Sequence, residues 1–151
     1  MNVSRYLLRE AAVSAVINAA ISAGFFFAFF RGMDLIPVWG PGNYAADFVP
    51  QSFAVALMSA LVPGFLARKG IAAGKFSVVT VPAPAKVALR ALAWAVGGLV
   101  VGSALAALVL WVSGLEVIPA SPAFAIKVAY GAALGALVTH LSVGRLVSQP
   151  A

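Results

Sequence analysis

The chain has 151 residues, of which 63% are hydrophobic and only 9% charged, and its mean hydropathy is +1.04. A soluble domain of this size carries about 25% charged residues, so polar side chains cannot cover this one and lipid must be its solvent. The absence of cysteine and the single histidine, His140, exclude disulfides, thiolate catalysis and any multi-histidine metal or haem site within one protomer, while the formal charge of +6 reads as membrane topology rather than affinity for nucleic acid.

The first apolar segment, residues 11–30, is AAVSAVINAAISAGFFFAFF and holds no charge over twenty residues. At about 1.5 Å per residue it crosses the ~30 Å hydrocarbon core. Arg5 and Arg9 resemble the charged start of a signal peptide. However, the apolar part exceeds the usual ~7–15 residues, and the following RGMDLIP offers no small-residue cleavage site. An uncleaved helix is expected, prolonged at the interface by RYLLRE. Ser14, Asn18 and Ser22 recur at i, i+4, i+8 and draw one polar stripe down it, flanked by Ala11, Ala15, Ala19 and Ala23. Such a stripe is either a close helix–helix seam with amide and hydroxyl bonds across it or the lining of a path for solute or water. An intramembrane Asn needs a partner in both cases.

A long loop, residues 31–49, leads into DFVPQSF and the second span, residues 51–67. That span reaches only about 25 Å. It must thin the bilayer, pack inside the bundle or extend through its flanks. Pro63-Gly64 interrupts it near its end. The loop that follows, residues 68–90, is basic, and contact with anionic headgroups is expected there. The third span is residues 91–111, with Trp94 and Trp111 near opposite ends as interfacial aromatics. The fourth, residues 122–143, is broken by Lys127 and His140. Gly98 and Gly102 on the third span, and Gly131 and Gly135 on the fourth, offer grooves for helix packing.

Charge fixes an expected orientation. If four helices alternate, Arg5, Arg9, Arg68, Lys69, Lys75, Lys86, Arg90 and Arg145 share one side. Arg31 and Lys127 fall on the other with Asp34, Asp47 and Glu116. The positive-inside rule then places both termini in the cytoplasm and the protein in a cytoplasmic (inner) membrane.

Asp47-Phe48-Val49-Pro50-Gln51-Ser52 has an echo in Glu116-Val117-Ile118-Pro119-Ala120-Ser121. This pattern suggests two tandem helical hairpins of like orientation. Each motif has the chemistry of a helix start, with Pro in the first turn and a carboxylate at the positive dipole end. Lys127 lies at the same depth. It can snorkel outward or pair with Asp47 or Glu116, and a ligand or partner site would then draw on Asp47, Gln51, Glu116, Lys127 and Tyr130.

The expected fold is an all-α integral membrane protein, a bundle of four transmembrane helices in one membrane domain. No phosphate-cradling loop, metal-ligand spacing or Ser-His-Asp set occurs in the sequence. Neither cofactor, metal, nucleic acid nor enzymatic activity is therefore expected. The reading that follows is a non-catalytic subunit or scaffold, packed in a homo-oligomer or a larger membrane complex. The alternative is a small transporter or channel that uses the Ser14/Asn18/Ser22 stripe and an outer Asp47/Gln51/Lys127 cluster.

Overall fold

The computed structural model describes residues 2–78 and 80–147. Helix α1 (Val3–Phe30) is followed by a short strand β1 (Leu35–Pro37), a folded loop and helix α2 (Phe48–Ala72). Next, α3 (Pro84–Gly97), a π-helical turn (Gly98–Gly102) and α4 (Ser103–Ser113) run on as one long helix. Strand β2 (Val117–Pro119) and helix α5 (Ala120–Val147) complete the chain. Among the described residues, four helices are long and apolar enough to cross a membrane: Val3–Phe30, Phe48–Ala72, Pro84–Ser113 and Ala120–Val147. Each outruns its apolar stretch in the sequence. The short second span is resolved by extension, because the helix takes in Phe48 to Pro50 at one end and Arg68 and Lys69 at the other.

Helix α1 packs chiefly on α5, the α3–α4 helix packs on α2, and α2 and α5 meet each other in the middle. The seams are rows at i, i+4. Ser14, Asn18, Ser22, Phe26 and Phe30 are buried on α1, facing Ala123, Lys127, Gly131, Gly135 and Thr139 on α5. Rows of small residues at this spacing let two backbones come close. A Cβ on Gly131 would overlap the Ser22 hydroxyl, and one on Gly135 would overlap the Asn18 amide. In the second seam a Cβ on Gly98 would overlap that of Ala56, and one on Gly102 would overlap the Tyr130 hydroxyl. The outward faces remain apolar and exposed, as on Val100, Leu105, Leu108 and Val109, which is how a lipid-solvated surface is built.

Apolar clusters close both ends. Phe26, Phe30, Ile36, Val38, Tyr44, Phe48, Leu110 and Ile118 pack together at the end that carries the strands. Leu7, Ala67, Ile71, Phe76, Val143 and Leu146 pack at the opposite end.

The strands, unforeseen from the sequence, pair antiparallel in the register Leu35 to Pro119, Ile36 to Ile118 and Pro37 to Val117. Proline has no N–H to give the ladder, so the next residue supplies it. Val38 N–H bonds to Glu116 C=O at 2.8 Å, and Ala120 N–H bonds to Asp34 C=O at 3.0 Å. The two strands share the pattern Gly, apolar, acid, apolar, Ile, Pro: residues 32–37 are GMDLIP and 114–119 are GLEVIP. Both opening glycines sit at positive φ, 82° for Gly32 and 66° for Gly114, where a side chain is disfavoured. The structural counterpart of EVIP is thus DLIP. Phe48-Val49-Pro50, which the sequence aligns with Val117-Ile118-Pro119, is helical instead.

Candidate functional site

Two buried polar networks run through the packed helices. The first lies near the strand end. Lys127, one turn and more inside α5, is fully buried, and its ammonium forms an ion pair with Asp47 Oδ2. It also donates to Gln51 Oε1 at 2.8 Å. Gln51 turns its amide nitrogen to Ser22 Oγ at 2.7 Å and to the backbone oxygen of Lys127 at 3.2 Å. The Gln51 amide therefore uses both its donors and its acceptor. Over this centre stand three aromatic rings. The ammonium is 4.5 Å from the ring centroid of Phe48, 5.4 Å from that of Tyr44 and 5.8 Å from that of Phe30, all within cation–π range.

Burial of this charge is made tolerable by the loop between β1 and α2. Positive φ at Gly40 and Gly42 lets the chain turn back, so that Tyr44 N–H bonds to Pro37 C=O at 2.9 Å. Tyr44 is fully buried, and its hydroxyl donates to Ala123 C=O at 2.6 Å. Burial, with the Asp47 charge second, pushes the Tyr44 phenol above its usual range. Asp47 sits at the N-cap position of α2 but makes no capping bond with its side chain. The helix starts at this motif as expected, with Pro50 in its first turn, but the carboxylate serves Lys127 instead of the free N–H groups, which corrects the capping role expected of Asp47. Its second oxygen, Oδ1, is buried without a partner among the described residues.

Glu116 does not join the cluster: it is exposed, beside β2. Tyr130 also stands apart, half-buried, with its hydroxyl 2.6 Å from Ser52 Oγ and its ring edge-on to Phe48 at 4.9 Å. Ser22 is the member of the α1 stripe that the cluster does take in.

Ser14 and Asn18 belong to the second network. The Asn18 amide donates to Ser14 C=O at 2.8 Å and to Ser59 Oγ at 2.8 Å. The Ser14 hydroxyl reaches Gly135 C=O at 3.2 Å. Thr139 Oγ1 lies 2.7 Å from Ser14 Oγ and donates to Ser59 C=O at 2.9 Å. That last bond has a local cause. Pro63 lacks the N–H that would bond to the carbonyl four residues earlier, which is that of Ser59. Thr139 satisfies the freed oxygen, as buried backbone in lipid requires. Asn18 Oδ1 has no partner among the described residues.

Sequence reasoning missed Ser59, Thr139 and the three aromatic rings. Pro63 was a signal for Ser59, through the i−4 rule. Nothing in the sequence tied the rings to Lys127: Phe30 ends the aromatic run 25–30, while Tyr44 and Phe48 stand in and just after the long loop.

A cleft of about 1020 Å³ lies elsewhere, between α3 and α5 away from the strand end, and none of the stripe or of the Lys127 cluster lines it. Among the described residues, no three His, Cys, Asp or Glu side chains come together as a metal site would need. Compared with known protein families, characterised proteins and solved structures, the chain finds no match.

Proposed function

We propose that this chain is a small polytopic inner-membrane protein that acts as a non-catalytic subunit or scaffold, packed in a homo-oligomer or in a larger membrane complex. The observation that carries the reading is the closure of the α1 stripe. Ser14, Asn18 and Ser22 are buried; Gly131 approaches Ser22, and Gly135 approaches Asn18, so closely that not even a methyl group fits between, and Ser14 bonds to Gly135 C=O. Hydroxyls and amides in that position bond helix to helix and line no passage. The broad apolar outer face of the α3–α4 helix is available for lipid or a partner helix.

The proposal includes two tandem hairpins of like orientation, α1–α2 and α3/α4–α5, related by a two-fold axis along the membrane normal. It is supported by the reciprocal bonds Val38 to Glu116 and Ala120 to Asp34, and by the exchange of packing partners between halves. The halves differ where α2 is preceded by residues 38–47, which bring Tyr44 and Asp47 over Lys127. A cytoplasmic location of both termini is supported by the eight basic residues that share their side when the four helices alternate.

A second reading, a small transporter, draws on one observation: the buried, unpartnered oxygens of Asn18 and Asp47 could receive a polar solute. One experiment separates the two. The protein is extracted from its native membrane in mild detergent and its mass measured, and it is then reconstituted in vesicles for solute flux. A complex larger than one chain without flux supports the subunit. A lone chain whose flux is abolished by Asn18→Ala overturns it.

A further inference from the structure

A cleft between α3 and α5 is used by neither polar network. Its volume of about 1020 Å³ is at the upper end of those that hold organic ligands. Its lining divides by chemistry. Arg90 and Trp94, one turn apart on α3, and His140 and Arg145 on α5 form a basic and aromatic rim. Val87, Ala91, Ala93, Gly97 and Leu141 form apolar walls. No carboxylate lines the cleft.

The two guanidinium groups are free to take a ligand. That of Arg145 lies over the Trp94 ring at 5.3 Å from its centroid, and stacking leaves the N–H edge of an arginine open. Among the described residues neither Arg90 nor Arg145 makes an ion pair or a side-chain hydrogen bond. Arg68 at the same end differs, because its Nε is spent on Pro82 C=O at 2.8 Å. Arginine forks match phosphate oxygens, and a basic pocket between membrane helices, at the level of an interfacial tryptophan, suits a lipid headgroup.

We propose that this cleft is a specific site for an anionic phospholipid, with the phosphate held between Arg90 and Arg145 and an acyl chain lying along the apolar wall past Ala93 and Gly97. The walls select lipid over free phosphate, since an inorganic ion would leave them empty.

The test uses the full chain in nanodiscs of phosphatidylcholine doped with phosphatidylglycerol, with the lipids retained after transfer to detergent counted by native mass spectrometry. The unaltered protein should retain phosphatidylglycerol over phosphatidylcholine by about 30-fold, as two headgroup–arginine contacts imply. Arg90→Gln with Arg145→Gln should abolish the preference, while the charge-matched Arg5→Gln with Arg9→Gln, outside the cleft, should keep it. Gly97→Leu provides a variant with every charge intact. A Cβ there meets nothing within 4 Å, so the side chain should enter the cleft and displace the acyl chain, lowering retention while the melting temperature in pure phosphatidylcholine holds. The proposal is overturned if the cleft pair retains phosphatidylglycerol unchanged, if the outer arginine pair loses it equally, or if inorganic phosphate raises the melting temperature as much as phosphatidylglycerol does.

Discussion

Ile36 lies directly opposite Ile118 at the centre of the antiparallel strand pair, and the same chain pattern runs away from each in both directions. An antiparallel pair has a local two-fold axis through its centre. Here the axis relates Gly32 to Gly114, Asp34 to Glu116 and Pro37 to Pro119. The strands are only three residues long, too short to stand alone. They hold because Ile36 and Ile118 are buried in the apolar cluster that closes this end of the bundle.

The two glycines that open the strands should therefore be equivalent in energy. Gly32→Ala and Gly114→Ala each force a side chain into the left-handed region, at about 1–2 kcal/mol. Gly24→Ala, in mid-helix with open space around its Cβ position, should be neutral or stabilising by up to about 1 kcal/mol. Unfolding in mixed micelles measures all three. Strongly unequal costs at Gly32 and Gly114 would count against the equivalence of the two turns.

Removal of Lys127 should be far more damaging than removal of the ion pair as a whole. Lys127→Met leaves Asp47 buried and uncompensated, which costs roughly 3–5 kcal/mol. Lys127→Met with Asp47→Leu removes both charges and should recover more than half of that loss. A double variant no more stable than Lys127→Met would show that the carboxylate reaches solvent without its partner.

The α1–α5 seam predicts a rescue. Gly131→Ala places a methyl on the Ser22 hydroxyl and should cost about 1–3 kcal/mol through overpacking. Ser22→Gly frees that space, so the double variant should be more stable than the sum of the single costs predicts. Additivity of the two changes would mean that the helices separate there rather than clash.

Hydropathy made the four helices legible, because long apolar runs have few other fates, even where the second is short and the fourth is broken by Lys127 and His140. Depth put Lys127 level with both Asp47 and Glu116 and left snorkelling open as well; the choice of Asp47 came only with the folded loop before α2. The strands were not legible. Three residues ending in proline give no alternation to read, and both DLIP and DFVP resemble EVIP. What separates them is Gly32 with Ile36, which makes GMDLIP the fuller match to GLEVIP; the match is in the sequence, but only the backbone shows that both glycines turn left-handed into a strand. The fate of Glu116 was hidden for the same reason: once β2 is extended, its side chain lies outside the bundle. The aromatic cover of Lys127 depends on a loop whose turn-back is set by Gly40 and Gly42, and composition does not reveal where such a turn will aim a tyrosine.

Tyr44 supplies a pH test of that cover. Its phenol, ordinarily near pH 10, is held higher in the folded protein by burial and by the charge of Asp47. The folded state thus keeps a proton that the unfolded chain loses above about pH 10. The stabilisation is complete below that pH and declines as pH rises from it toward the folded value. Tyr44→Phe lacks this proton and the hydrogen bond to Ala123 C=O, so at neutral pH it should be less stable by about 1 kcal/mol. As pH climbs past about 10 the unaltered protein loses stability that the variant does not, and the gap between them should close. Melting temperatures in detergent, taken from neutral to strongly alkaline pH, give the comparison. A gap that stays constant through the alkaline range would mean that the Tyr44 hydroxyl titrates in the folded protein as it does in water, and that the loop does not seal the Lys127 site.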